Sequence, residues 1–79
     1  MAREPGVMYR WKKLGGGGAI RRDDGSPISF FYEDCSQGLK DILDQHDIPP
    51  GELRVTFVSG FENTDEVAKN VFLATEIVP

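Results

Sequence analysis

Four consecutive glycines, Gly15–Gly18, stand between two β-rich segments, "VMYRWK" at 7–12 and "AIRRD" at 19–23. They strip every side chain from a stretch that should be half of a sheet surface. The reading that follows is a first β-hairpin with a flexible glycine loop. An anion nest is the other use of such a run. No Gly-Lys-Ser/Thr follows it, and neither does a helix, so a nucleotide phosphate loop is excluded.

Later segments repeat the pattern of short strands and tight turns. Asp24-Gly25 is a hairpin signal, since both residues tolerate the positive φ that such turns demand. "PISFFYED" at 27–34 reads as a third strand, with Ile28, Phe30 and Tyr32 on one face and Ser29, Phe31 and Glu33 on the other. Both faces carry an aromatic, so one covers the core and the other meets a loop or a partner. "SQGLKDILDQH" at 36–46 is the helical stretch: Ser36 is a candidate N-cap, and Leu39, Ile42, Leu43 and His46 recur at helical spacing. Pro49-Pro50-Gly51 stops it. "ELRVTFVSG" at 52–60 alternates as a fourth strand, "GFENTDE" at 60–66 is an acidic turn, and "VAKNVFLATEIV" at 67–78 is the last strand. The expected fold is all-β: a small five-stranded antiparallel barrel with one short helix between strands 3 and 4.

The 79 residues make one domain, 1–79, with 1–5 as a loose N-terminal tail. A chain this short buries only about 60–65% of its unfolded surface, which leaves shallow clefts. Cys35 stands alone, so no internal disulfide or multi-cysteine zinc site is available. "MAREPG" lacks the apolar stretch of a signal peptide, and no apolar run approaches the roughly 18 residues of a membrane span. These features predict a cytoplasmic protein with no membrane partner.

Charge is unevenly placed. Through Arg22 the chain carries six cations, Arg3, Arg10, Lys12, Lys13, Arg21 and Arg22, against Glu4 alone, a balance of +5. From Asp23 onward Lys40, Arg54 and Lys69 face twelve carboxylates, a balance of −9. The overall −4 argues against a polyanionic partner, but the asymmetry predicts a basic face on an acidic body.

Read from Gly6 to Tyr32 without a gap, the sequence resembles the cold-shock domain, a five-stranded OB-fold barrel. The family opens Gly-x-Val-Lys-Trp-Phe-Asn-x-x-Lys-Gly-Phe-Gly-Phe-Ile, followed by Asp-Asp-Gly and a strand Asp-Val-Phe-Val-His. Gly6, Gly16, Gly18, Ile20, Asp23-Asp24-Gly25 and Phe30 fall on its positions, as do Gly51, Val55 and Phe57 of "GELRVTF" and Ala68, Asn70 and Val71 of "AKNV". An S1-type OB domain has a similar strand order, but the Asp-Asp-Gly and Ala-x-Asn-Val spacings favour the cold-shock branch.

The resemblance implies binding of single-stranded RNA or DNA by stacking bases on aromatics of the first three strands. The aromatics of the glycine-rich motif fall on Gly17 and Ala19, and its Lys falls on Gly15. The family's Trp falls on Arg10, its next Phe on Trp11 and its preceding Lys on Tyr9, although the glycine run lets this register slide by one. The third-strand Phe is kept as Phe30, the His becomes Tyr32, and the next aromatic becomes Glu33.

The implied site is therefore Tyr9, Arg10, Trp11, Lys12, Lys13, Arg21, Arg22, Phe30 and Tyr32. Trp11, Phe30 and Tyr32 would form an outward stacking patch, Arg10 would act as a planar cation, and Lys12, Lys13, Arg21 and Arg22 would meet phosphates. Binding would be weak and salt-sensitive, because two lost platforms remove about 1–3 kcal/mol each. The alternative is a repurposed barrel that meets a protein partner or dimerises, through its aromatics or a strand edge. No cofactor is implied. Cys35 lacks a base, His46 reads as a helix-end residue, and Asp41, Asp44 and Asp47 read as a wet helix face, so an enzyme is not expected.

Overall fold

The computed structural model describes residues 3–45 and 53–78. Strands β1 (Glu4–Lys12), β2 (Gly17–Arg22) and β3 (Pro27–Phe31) are followed by a 3₁₀ turn (Tyr32–Asp34) and helix α1 (Gln37–Gln45). Strands β4 (Leu53–Glu62) and β5 (Asp65–Leu73) complete the chain. The strands close into a barrel in the order β1-β2-β3-β5-β4. This is the five-stranded barrel with a single helix between β3 and β4 that the turn signals predict.

One feature of the expected barrel is corrected. Four of the five seams are antiparallel, but β3 runs parallel to β5 at Ser29↔Val67 and Phe30↔Ala68. Parity demands this. Alternating directions cannot close around an odd number of strands, so β3 and β5, each one strand removed from a neighbour of β1, both run with β1.

Local chemistry sets the turns. Gly25 adopts φ 89° and its N–H donates to the Arg22 carbonyl at 2.9 Å, while the Arg22 N–H donates to the Ser26 carbonyl at 2.9 Å. Asp24 accepts from the Ser26 N–H at 2.9 Å and the Ser26 hydroxyl at 2.6 Å, bonds that hold its carboxyl below the usual carboxylate range. The acidic turn is shorter than expected: Glu62 pairs with Asp65, leaving Asn63 (φ 59°) and Thr64 as a two-residue hairpin loop.

Within the expected tail, Glu4 and Pro5 instead belong to β1, where Glu4 pairs with Phe57. The Arg3 guanidinium donates to the Thr56 carbonyl at 2.8 Å and the Asn70 carbonyl at 2.6 Å, which ties the strand's start to β4 and β5. Helix α1 starts where capping predicts, with the Ser36 hydroxyl accepting from the Leu39 N–H at 3.2 Å. His46 and the Pro49-Pro50-Gly51 stop lie outside the described residues.

Met8, Trp11, Ile20, Ile28, Phe30, Val55, Phe57, Ala68 and Val71 fill the barrel, and Leu39 and Leu43 of α1 join the core. Gly18 belongs to this interior. A Cβ there would run into the Arg10 carbonyl and come within 2.8 Å of Phe30 Cε1, so the β2 backbone passes beneath the Phe30 ring only because no side chain intervenes. Gly16 supplies the turn itself at φ 65°.

Candidate functional site

The aromatic patch expected from Trp11, Phe30 and Tyr32 does not face outward. Trp11 is 2% exposed and Phe30 0%. Their rings stack with centroids 5.9 Å apart, and Tyr32 also stacks on Trp11, at 5.8 Å. Tyr32 is half-buried and lies beyond the end of β3, in the 3₁₀ turn. Its hydroxyl donates to the Asp44 carboxylate at 2.9 Å, and the Lys40 ammonium sits 5.3 Å from its ring centre. That bond to Asp44 raises the Tyr32 pKa above the ordinary phenol value. The trio is a pillar joining barrel to helix rather than a stacking surface.

A single bulge explains the inversion in β1. Met8 pairs with Ile20 and Arg10 pairs with Ala19, so Tyr9 is an extra residue in the strand. Tyr9 and Arg10 are both exposed in succession, and the phase flips so that Trp11 points inward with Met8. In β3 the alternation holds, but Ile28 and Phe30 take the core side while Ser29 and Phe31 take the outside. Phe31, 37% exposed, is the outward ring of that strand, and the sequence reading did not select it.

The outer face of β1–β2–β3 therefore has a different membership. Strand β1 contributes Tyr9, Arg10 and Lys12, β2 contributes Gly17, Ala19 and Arg21, and β3 contributes Ser29 and Phe31. Register places Ala19 between Arg10 and Ser29, and Gly17 between Lys12 and Phe31. Small residues on the middle strand make a shallow trough with walls two strand spacings apart, about 10 Å. One wall is cationic, and the other ends in a phenyl ring.

The expected phosphate contacts divide. Arg10, Lys12 and Arg21 are exposed and make no ion pair among the described residues. Lys13 is exposed, with its ammonium donating to the Asp44 backbone carbonyl at 2.7 Å, so it docks the hairpin on the end of α1. Arg22 leaves the set: its guanidinium donates to Glu66 at 2.6 Å and lies 4.0 Å from Glu4. The Glu66 bond raises its pKa further. Lys69 is similarly committed to Glu62 at 2.7 Å and Asp34 at 3.4 Å.

Arg21 makes a contact of another kind. Its guanidinium carbon lies 4.7 Å from the centre of the Tyr9 ring. This cross-strand pair is reachable because the bulge turns Tyr9 outward.

Cys35 is buried, and burial with help from Asp34 pushes its thiol up to about 12. Among the described residues, no group of three His, Cys, Asp or Glu side chains is placed to hold a metal ion. Among the same residues no helix is long and apolar enough to cross a membrane. Compared with known protein families and with curated proteins, the chain matches none.

Proposed function

We propose that the protein is a single-strand nucleic-acid binding barrel of the cold-shock type, acting through the outer face of β1–β2–β3. The observation that carries this reading is the gathering on one face of three cations, Arg10, Lys12 and Arg21, which have no ion-pair partner among the described residues, beside two exposed rings, Tyr9 (42% exposed) and Phe31. Cations of this kind meet phosphates, and a flat ring meets a base of any sequence.

Affinity is low by construction. Gly17 and Ala19 present no ring, and Trp11 and Phe30 serve the core. Two stacked bases at about 1–3 kcal/mol each, against about 4 kcal/mol for a dissociation constant of 1 mM, give roughly tens of micromolar to tens of millimolar from stacking alone, and the three cations tighten this at low salt.

An amide chemical-shift titration with heptathymidine and heptauridine tests it. Shifts should concentrate on residues 9–12, 17–21 and 29–31 and shrink as salt rises. An unchanged spectrum at about 1 mM oligonucleotide rejects the proposal.

The absence of rings at Gly17 and Ala19 favours a second reading, in which the same trough meets a protein partner or a second copy of the chain. Barrel closure leaves less free edge for the strand-pairing version of that reading, since β1 and β4 pair over residues 4–8 and 53–57. Sedimentation that depends on concentration, without oligonucleotide shifts, would select it.

A further inference from the structure

The Tyr9–Arg21 pair deepens the proposed site and rests on that reading. An exposed arginine ordinarily samples many rotamers, and as a phosphate contact it acts as a mobile point charge. Arg21 differs, because its guanidinium carbon lies 4.7 Å from the Tyr9 ring centre. It is exposed, and among the described residues no carboxylate lies within salt-bridge distance of it. The guanidinium carbon is thus carried over the Tyr9 ring while the side chain stays exposed, on the same strand face as Ala19 and Gly17.

We propose that Arg21 is a base-stacking plate rather than a phosphate contact, with Tyr9 holding its plane so that an unpaired base completes a three-layer sandwich. Two properties of guanidinium make this suitable. It is planar and weakly hydrated, so its face stacks on aromatic rings where an ammonium cannot. Resting against tyrosine, it also loses little rotamer freedom when a base arrives. The arrangement restores a platform on the strand whose other outward positions, Gly17 and Ala19, carry no ring. It also selects unpaired over paired bases, since both faces of a duplex base are already covered. Phe31 supplies the second platform, across the trough.

The discriminating variant is Arg21→Lys, which keeps the charge and removes the plane. Anisotropy of a labelled heptathymidine at fixed low salt gives the affinities, with Arg21→Ala, Tyr9→Leu and a duplex of the same sequence alongside. If Arg21 is a plate, Arg21→Lys weakens binding nearly as much as Arg21→Ala, by roughly fivefold to a hundredfold, and Tyr9→Leu weakens it too. The slope of affinity against salt stays that of the wild type in Arg21→Lys. An Arg21→Lys affinity within twofold of wild type, with Arg21→Ala weaker and its salt slope flatter, identifies a phosphate contact and overturns the inference alone. Equal affinity for duplex and single strand also overturns it. A wild-type protein that binds no oligonucleotide removes the binding reading and the inference together. Both side chains are exposed, so the variants should retain the amide spectrum of the fold, and that spectrum is the control.

Discussion

The rings of Trp11 and Phe30 lie 13° from parallel with centroids 5.9 Å apart, inside the barrel. Tyr32 stacks on the same indole and passes the contact on to α1 through Asp44. The helix is thereby fastened to the strand pair that carries the outer face, and the indole is the middle of the fastening. Replacing Trp11 with alanine should cost about 3–5 kcal/mol in urea denaturation, the usual range for removing a buried large aromatic. Its emission should be blue-shifted and resist acrylamide. A loss below 1 kcal/mol would mean the stack is not part of the core.

Adjacent phenylalanines in β3 should behave as opposites. Phe30→Ala empties the core and should lower stability by about 3–5 kcal/mol. Phe31→Ala removes a partly exposed ring, so it should cost only about 1–2 kcal/mol of stability, well below the Phe30 variant, and weaken heptathymidine binding by roughly fivefold to a hundredfold. Measuring both variants by both assays separates packing from binding. Loss of binding in the Phe30 variant at a concentration and temperature where it is folded would restore Phe30 to the site.

The barrel was legible in the chain because its turns are chemically marked: the glycine run, Asp24-Gly25 and the lone capped helix each fix a boundary. A parallel seam is implicit in the strand number too, since five strands cannot alternate around a closed ring, but which pair of strands carries it depends on the strand order. Face assignment failed for two physical reasons. The bulge at Tyr9 and Arg10 inverts the phase of β1, and nothing in "VMYRWK" announces an inserted residue. In β3 both faces carry an aromatic, so alternation alone cannot choose the core side. The withdrawal of Arg22 from the basic face depends on Glu66, 44 residues away in sequence, a pairing that only the closed barrel creates.

Neighbouring glycines in the first hairpin should differ sharply in tolerance. Gly18→Ala drives a methyl into the Arg10 carbonyl and toward the Phe30 ring, so it should cost about 3 kcal/mol or more, at or beyond the top of the usual overpacking range. Gly15→Ala meets nothing closer than 3.8 Å and should change stability by less than about 0.5 kcal/mol. Thermal melts of the two variants side by side decide the matter. Equal effects would mean that the run acts only as a flexible loop.

Alkaline stability should report on Cys35. Its thiol is pushed up from 9.0 to about 12 in the folded protein, chiefly by burial. Above pH 9 the unfolded chain therefore releases a proton that the native state retains. Stability falls as pH rises from 9 toward 12, and below 9 this contribution is constant. Melting temperature should decline from pH 8.5 to 10, and Cys35→Ala should flatten that decline while lowering the melting temperature at pH 8.5. An equally steep decline in the variant would assign the loss to other groups, such as the Tyr32 hydroxyl, whose pKa is also raised.

Restoring a ring to the middle strand should strengthen binding. Ala19 is half-buried on the outer face, flanked in register by Arg10 and Ser29, and its Cβ already fits there. Ala19→Phe adds a flat surface beside Tyr9 and Arg21 without displacing a core residue. One additional stacked base is worth about 1–3 kcal/mol, so affinity for heptathymidine should rise roughly fivefold to a hundredfold at constant salt. The gain should vanish against a duplex of the same sequence, whose bases present no free face. A folded Ala19→Phe variant with wild-type affinity would mean that bases do not reach this face.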